Sequence, residues 1–131
     1  MMPYQKILVV DDEEEILQLI DSRLTAHGYG VIRATCGKEA IDKSRSLKPN
    51  LILMDIMLPD IDGAEAVHIL TNDPSTAKIP IIFLSAIAER KEGQTKSTVT
   101  VGKRLFPAIA KPFTSEDLLK EVRTVLKDGH G

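Results

Sequence analysis

Cysteine is almost absent from this chain: Cys36 stands alone among 131 residues, so no disulfide framework forms within it. That fits a reducing compartment and leaves Cys36 as a small apolar filler near a strand end. An excess of basic charge is missing too. Lys and Arg number 17 against 19 Asp and Glu, a formal net charge of −2, and no basic tail is present. Without that electrostatic footprint, direct nucleic-acid binding by this chain is not expected. Long apolar runs are also lacking. The start, Met1-Met2-Pro3-Tyr4-Gln5-Lys6, has no apolar signal-peptide region, and no run is long enough to cross a bilayer. A soluble cytoplasmic protein without membrane partners is the expectation. Internal repeats, low-complexity tracts and linkers are absent, and Asp128 to Gly131 reads as a frayed end.

What is present is enough apolar material for one domain. Hydrophobic residues make up 43% and charged residues 27% of a single-domain length, so the chain reads as one unit over 1–131 with a core at about 6–127. Five short apolar runs stand out: Ile7 to Val10, Tyr29 to Ala34, Leu51 to Met54, Ile79 to Leu84 and Phe106 to Ala110. Most are continuous rather than alternating, as strands covered on both faces require. The second is more mixed, which suits a strand nearer an edge.

Helical patterns separate the runs. Ile16, Leu17, Ile20 and Leu24 share one face of a helix over Glu13 to His27, which Gly28 stops. Ala40, Ile41 and Leu47 give a weaker stripe between Lys38 and Leu47, closed by Pro49. Asp62 is placed to cap a helix through Ala64, Val67 and Leu70 to about Asn72. Thr114 caps the last helix, whose buried stripe is Leu118, Leu119, Val122, Val125 and Leu126. The stretch from Ala88 to Arg104 fits this scheme poorly. It is polar, and the alternation from Thr98 to Val101 is strand-like, so the fourth helix position is expected to be short, displaced or mobile. The β-α alternation implies an α/β fold: a doubly wound five-stranded parallel sheet with helices on both faces.

In such sheets ligands gather at the carboxyl ends of the strands. Three strands end in chemistry: the first in Asp11-Asp12, the third in Asp55 and the fifth in Lys111, with Ser85 closing the fourth. Each has a plain alternative, as a helix cap, a turn residue or a surface lysine. Together they converge on one pocket. Three carboxylates repel one another there, and Mg²⁺ would neutralise them while leaving room for phosphate oxygens. Lys111 and Ser85 would complement a phosphoryl group, and Asp55 is a competent nucleophile for phosphoryl transfer.

At this point the chain resembles a response-regulator receiver domain. The resemblance rests on Ile7-Leu8-Val9-Val10-Asp11-Asp12, on Leu53 to Gly63, on Pro80 to Ala86 and on Lys111-Pro112-Phe113. It implies a flavodoxin-like sheet in the order 2-1-3-4-5, a phosphoacceptor at Asp55, and Mg²⁺ held directly by Asp12 and Asp55, through water by Asp11, and by the Met57 carbonyl. Ser85 and Lys111 would bind phosphoryl oxygens, and Lys111-Pro112 would be a cis peptide. The implied donor is a histidine kinase or histidine phosphotransfer protein. The domain would transfer the group to itself, later hydrolyse it, and act on no other substrate. Output would pass to a downstream protein by contact, through a population shift of the face formed by the family's fourth helix, fifth strand and fifth helix. With no output domain after the last helix, a stand-alone switch or relay is the expectation.

Two departures matter. The family's aromatic three residues before the lysine is Ala108 here, and Phe106 lies two residues earlier on the same strand face. Coupling through a serine–aromatic pair is therefore expected to be weak or rerouted. Met57 and Ile87 are bulky at positions that in the family flank the path of attacking water, so slow self-hydrolysis is expected. Two other functions remain. A haloacid-dehalogenase-type phosphatase would need Asp-x-Asp at the first strand, where Asp11 and Asp12 are adjacent. A non-phosphorylated interaction module would usually have lost an acidic residue or the lysine, and all are present.

Overall fold

The computed structural model describes residues 5–85 and 97–128. Its elements follow in the order β1 (Lys6–Val10), α1 (Glu14–Ala26), β2 (Gly30–Ala34), α2 (Gly37–Leu47), β3 (Leu51–Asp55), α3 (Gly63–Thr71), β4 (Ile81–Ser85), β5 (Ser97–Val101), β6 (Arg104–Ala110) and α4 (Ser115–Asp128). The strands form one sheet in the order β2-β1-β3-β4-β6-β5. β1 pairs in parallel with β2 and β3, and β4 with β3 and β6. The expected five-stranded parallel order therefore stands, with β6 in fifth place and the mixed strand β2 at one edge.

The sheet also carries a sixth strand beyond the expected five. β5 runs antiparallel to β6, pairing Val99 with Phe106 and Val101 with Arg104. The β-branched run Thr98 to Val101 suits an extended backbone, and Val99 and Val101 turn inward onto the core. Thus 97–101 is strand where a fourth helix was in question, and 86–96 lies outside the described residues. Pro107 is tolerated because β6 pairs with β4 only over 108–110, leaving Pro107 with β5 as its one neighbour.

Continuous apolar runs produce burial on both faces. β1 from Ile7 to Val10, β3 from Leu51 to Met54 and β4 from Ile82 to Leu84 are solvent-inaccessible. One face, with Leu8, Ile52, Met54 and Phe83, packs on Ala40 and Ile41 of α2 and on Ala66, Val67 and Leu70 of α3. The other face, with Ile7, Val9, Leu53 and Ile82, packs on Leu17, Ile20 and Leu24 of α1 and on Leu118, Leu119, Val122 and Leu126 of α4. Each buried Val, Leu, Ile, Met or Phe side chain among them contributes roughly 2 kcal/mol of burial free energy. The caps read from the sequence are formed: Asp62 accepts from the Ala64 amide at 2.8 Å, and Thr114 from the Asp117 amide at 3.0 Å. No helix among the described residues is long and apolar enough to cross a membrane.

One core polar group is out of keeping. Ser44 of α2 is fully buried, and among the described residues its hydroxyl has no hydrogen-bond partner. An unsatisfied buried hydroxyl costs about 1 kcal/mol or more, and Ala is the better helix former. Ser44→Ala should therefore raise stability by about 1 kcal/mol in urea unfolding; a loss would show that the hydroxyl has a partner in solution.

Candidate functional site

The parallel register brings four strand ends together. Val10 lies beside Met54 and Ala34, Asp55 beside Leu84, and Ser85 beside Ala110. One residue further along, Asp11 and Lys111 emerge at the same rim. Backbone bonds fix these exits. The Asp11 amide donates to the Ala34 carbonyl at 3.1 Å, and the Lys111 amide to the Ser85 carbonyl at 3.0 Å. The Lys111-Pro112 peptide is cis, as the resemblance implies.

Lys111 is the hub of the site. Its Nζ lies 2.8 Å from Asp11 Oδ2, 3.3 Å from Asp55 Oδ2 and 3.9 Å from Glu13 Oε1. The other oxygen of each buried carboxylate is held locally. Asp11 Oδ1 accepts from the Glu13 amide at 3.0 Å, and Asp55 Oδ1 from the Met57 amide at 3.2 Å. Asp11, Asp55 and Ser85 are buried, whereas Asp12 is exposed at the rim. All of the expected residues are thus brought to one place. Met57 flanks it, 68% exposed, with its backbone amide on Asp55 Oδ1.

The loop after Asp55 is closed at its base. The Gly63 amide donates to the Ile56 carbonyl at 2.8 Å. A Cβ on Gly63 would sit 2.1 Å from the Asp55 carbonyl oxygen, so no other residue fits there without moving the end of β3.

The charges do not balance. Carboxylate oxygens of Asp11, Asp12 and Asp55 lie within 4.8 Å of one another. Among the described residues, the cation that reaches them is Lys111. Burial pushes the Asp55 carboxyl up to about 6, and the neighbouring Asp11 charge adds to the rise; Lys111 and the Met57 amide offset part of it. Burial alone would push the Lys111 ammonium down. Its hydrogen bond to Asp11 and the charges of Asp55 and Asp11 outweigh that, and the net shift is upward. A hard divalent cation fits this donor set, because it supplies the missing positive charge and takes oxygen ligands.

A doubly wound α/β sheet with an acid–lysine pocket at its carboxyl rim defines a class; comparison with known proteins gives the family. This chain belongs to the response regulator receiver domain family, whose model matches residues 7–123. It is 35% identical over 123 residues to the alkaline phosphatase synthesis transcriptional regulatory protein PhoP of Bacillus subtilis, covering 94% of this chain and 49% of that protein. It is 31% identical over 121 residues to protein PilH of Pseudomonas aeruginosa, covering 92% of this chain and 97% of that protein. The chain spans about half the length of the first curated relatives it matches. Among solved structures, a CheY-like receiver domain from Methanospirillum hungatei superposes with a TM-score of 0.80 at 25% identity, covering 98% of each chain. The receiver domain of a sensor histidine kinase from Pseudomonas aeruginosa, solved with a magnesium ion in its active-site cleft, matches with a TM-score of 0.80 at 26% identity, over 95% of this chain and 99% of that one.

The departure at the aromatic position has a structural consequence. Ala108 sits beside Phe83, two residues short of the Ser85 pairing. Phe106 lies further down the strand, roughly 7 Å from Ala108 at strand rise. It is buried, packs edge-on against Phe83 at 5.8 Å, and carries the Arg104 guanidinium over its ring at 4.9 Å. Phe106 is therefore core, far along the strand from Ser85. Two residues were missed in the sequence: Glu13, which reaches Lys111 at the site, and Asp60, which ties the loop after Asp55 to α2. The acidic run after Asp12 was a signal for the first; the second had none.

The elevated Asp55 carboxyl makes a prediction for the metal-free protein. The folded state holds this proton more tightly than the unfolded chain, whose carboxyl sits near 3.8. Stability should fall as pH rises from about 4 to above 6. Asp55→Asn should flatten that fall and gain on the order of 2 kcal/mol near neutral pH. Urea unfolding across this pH range checks it; an unchanged pH dependence in the variant would contradict it.

Proposed function

We propose that this chain is a phosphoacceptor switch of a two-component or phosphorelay system, taking a phosphoryl group from a phosphohistidine donor onto Asp55. The observation that carries the reading is the convergence of Lys111 on both buried carboxylates, Asp11 and Asp55. In the transfer, an Asp55 carboxylate oxygen bonds to phosphorus and the phosphorus–nitrogen bond to the donor imidazole breaks. Lys111, already 3.3 Å from Asp55 Oδ2, is placed to pair with a phosphoryl oxygen, and the Ser85 hydroxyl is on the adjacent strand end to donate to another. Asp11, Asp12, Asp55 and the Met57 carbonyl would hold Mg²⁺. That ion supplies neutralisation of the phosphoryl charge while the transfer proceeds. Asp11 keeps a hold on Lys111 throughout, so the ammonium is not lost to solvent when Asp55 changes charge.

The donor is a histidine kinase or a histidine phosphotransfer protein, and the recipient of the signal is a protein that reads the altered surface. A net charge of −2 favours protein contact over direct contact with nucleic acid. The chain modifies itself and turns over no separate substrate, and it works in the cytoplasm beside its donor. A haloacid-dehalogenase-type phosphatase is disfavoured by the adjacent Asp11 and Asp12 and by a nucleophile at the end of the third strand. A non-phosphorylated interaction module would leave the charge imbalance of the pocket without a purpose.

Incubation with acetyl phosphate and Mg²⁺, followed by intact mass, tests the reading. The chain should gain the mass of one phosphoryl group, Asp55→Ala none, and Lys111→Ala should gain it more slowly. Equal modification of the Asp55→Ala variant would contradict it. Loss of the group is expected to be slow, because Met57 and Ile87, two residues beyond Asp55 and Ser85, are bulky at positions that in the family flank the path of attacking water; Ile87 lies outside the described residues. Replacing both with polar residues should speed the loss measured by the same method; an unchanged rate would remove this role.

A further inference from the structure

The loop from Ile56 to Asp62 has a second anchor, remote from the pocket. Asp60 at its tip accepts from two backbone amides of α2, Gly37 at 2.7 Å on Oδ1 and Lys38 at 2.8 Å on Oδ2. These are the first two amides of a helix whose own N-cap, Cys36, makes no side-chain cap bond among the described residues. A helix start leaves such donors unsatisfied unless a side chain or water meets them. The two amide bonds hold the Asp60 carboxyl down at about 2, so it is a charged acceptor at working pH. Ile61 closes against the same turn: a Cβ on Gly37 would lie 2.3 Å from Ile61 Cγ1. No other side chain at position 37 would allow this approach.

The loop is thus pinned at both ends. Its base is the Gly63-to-Ile56 bond beside Asp55, and its tip is Asp60 on α2. Only Met57, Leu58 and Pro59 span the interval, and Pro59 removes a backbone freedom from it. Met57 is the residue whose amide holds Asp55 Oδ1.

We propose that Asp60 is a positioning residue: by bridging the loop to the N-terminus of α2 it fixes the Met57 backbone against Asp55, and so sets the affinity of the pocket for a divalent cation. This rests on the metal reading given above. It also makes the first turn of α2 a place where occupation of the pocket is felt, since the same short segment connects the two.

The test is an amide NMR titration of metal-free protein with Mg²⁺, paired with thermal unfolding. In the wild type, the Gly37 and Lys38 amides should shift with the same midpoint as the Met57 amide. Asp60→Ala should raise that midpoint on the order of tenfold, the scale seen when a group supporting a metal ligand is lost. It should also lower the melting temperature, because α2 loses its cap. The double variant Asp60→Ala/Cys36→Ser separates the two effects, as a serine N-cap restores the helix end without restoring the bridge. It should recover the melting temperature while the midpoint stays raised. A midpoint unchanged in Asp60→Ala, or one restored along with stability in the double variant, would overturn the positioning role. Wild-type spectra in which Asp11, Asp12 and Asp55 ignore Mg²⁺ would instead overturn the metal reading itself.

Discussion

The repulsion between two buried carboxylates, Asp11 and Asp55, is the constraint from which the rest of the site follows. Lys111 satisfies one oxygen of each, yet Asp55 remains pushed up to about 6 and Asp12 adds a third charge at the rim. An isolated fold gains nothing from such an arrangement, because burying a charge is costly unless it is paired and hydrogen-bonded. The imbalance is held in place by backbone bonds and by the close fit of Gly63 on Asp55. What the arrangement provides is a site poised to accept further positive charge.

The sheet makes this constraint unavoidable. Parallel strands all present their carboxyl ends to one rim: the register sets Val10, Met54, Phe83 and Ala108 level, and Asp11, Asp55, Ser85 and Lys111 follow within three residues of that level. The residues that follow have no choice but to meet. The fully buried apolar strands beneath hold that rim rigid, since a one-residue slip would move Asp55 off the site and its neighbours off the core. The antiparallel β5 extends the sheet at the far edge, on the side where Phe106 rather than an aromatic at position 108 occupies the core. The loop from Ile56 to Asp62, clamped between Asp55 and α2, offers a route out of the pocket that does not run through β6.

Much of this was legible in the sequence, for physical reasons. Strands covered on both faces leave continuous apolar runs, and Ile7 to Val10 and Leu51 to Met54 are unmistakable. Helix stripes such as Leu17, Ile20 and Leu24 follow from 3.6-residue periodicity, and the caps Asp62 and Thr114 announce themselves locally. Asp11, Asp12, Asp55, Ser85 and Lys111 could be gathered because strand ends share a rim. The pairing of β5 was less accessible. Thr98 to Val101 looked extended, but nothing local says that an extended segment turns back on the strand that follows it. Asp60 was invisible for a related reason: its partners, Gly37 and Lys38, lie more than twenty residues earlier, and an aspartate after a proline reads as a turn. The difference between buried Asp11 and exposed Asp12 was likewise a matter of which way one backbone step turns.

The central claim is most directly tested by a crystal structure grown with Mg²⁺ and beryllofluoride, a stand-in for the phosphoryl group. The account predicts a metal among Asp11, Asp12 and Asp55, beryllium bonded to the Asp55 carboxylate, and the Lys111 ammonium drawn onto a fluoride. A pocket in which Lys111 keeps both carboxylates and the metal binds elsewhere would contradict it.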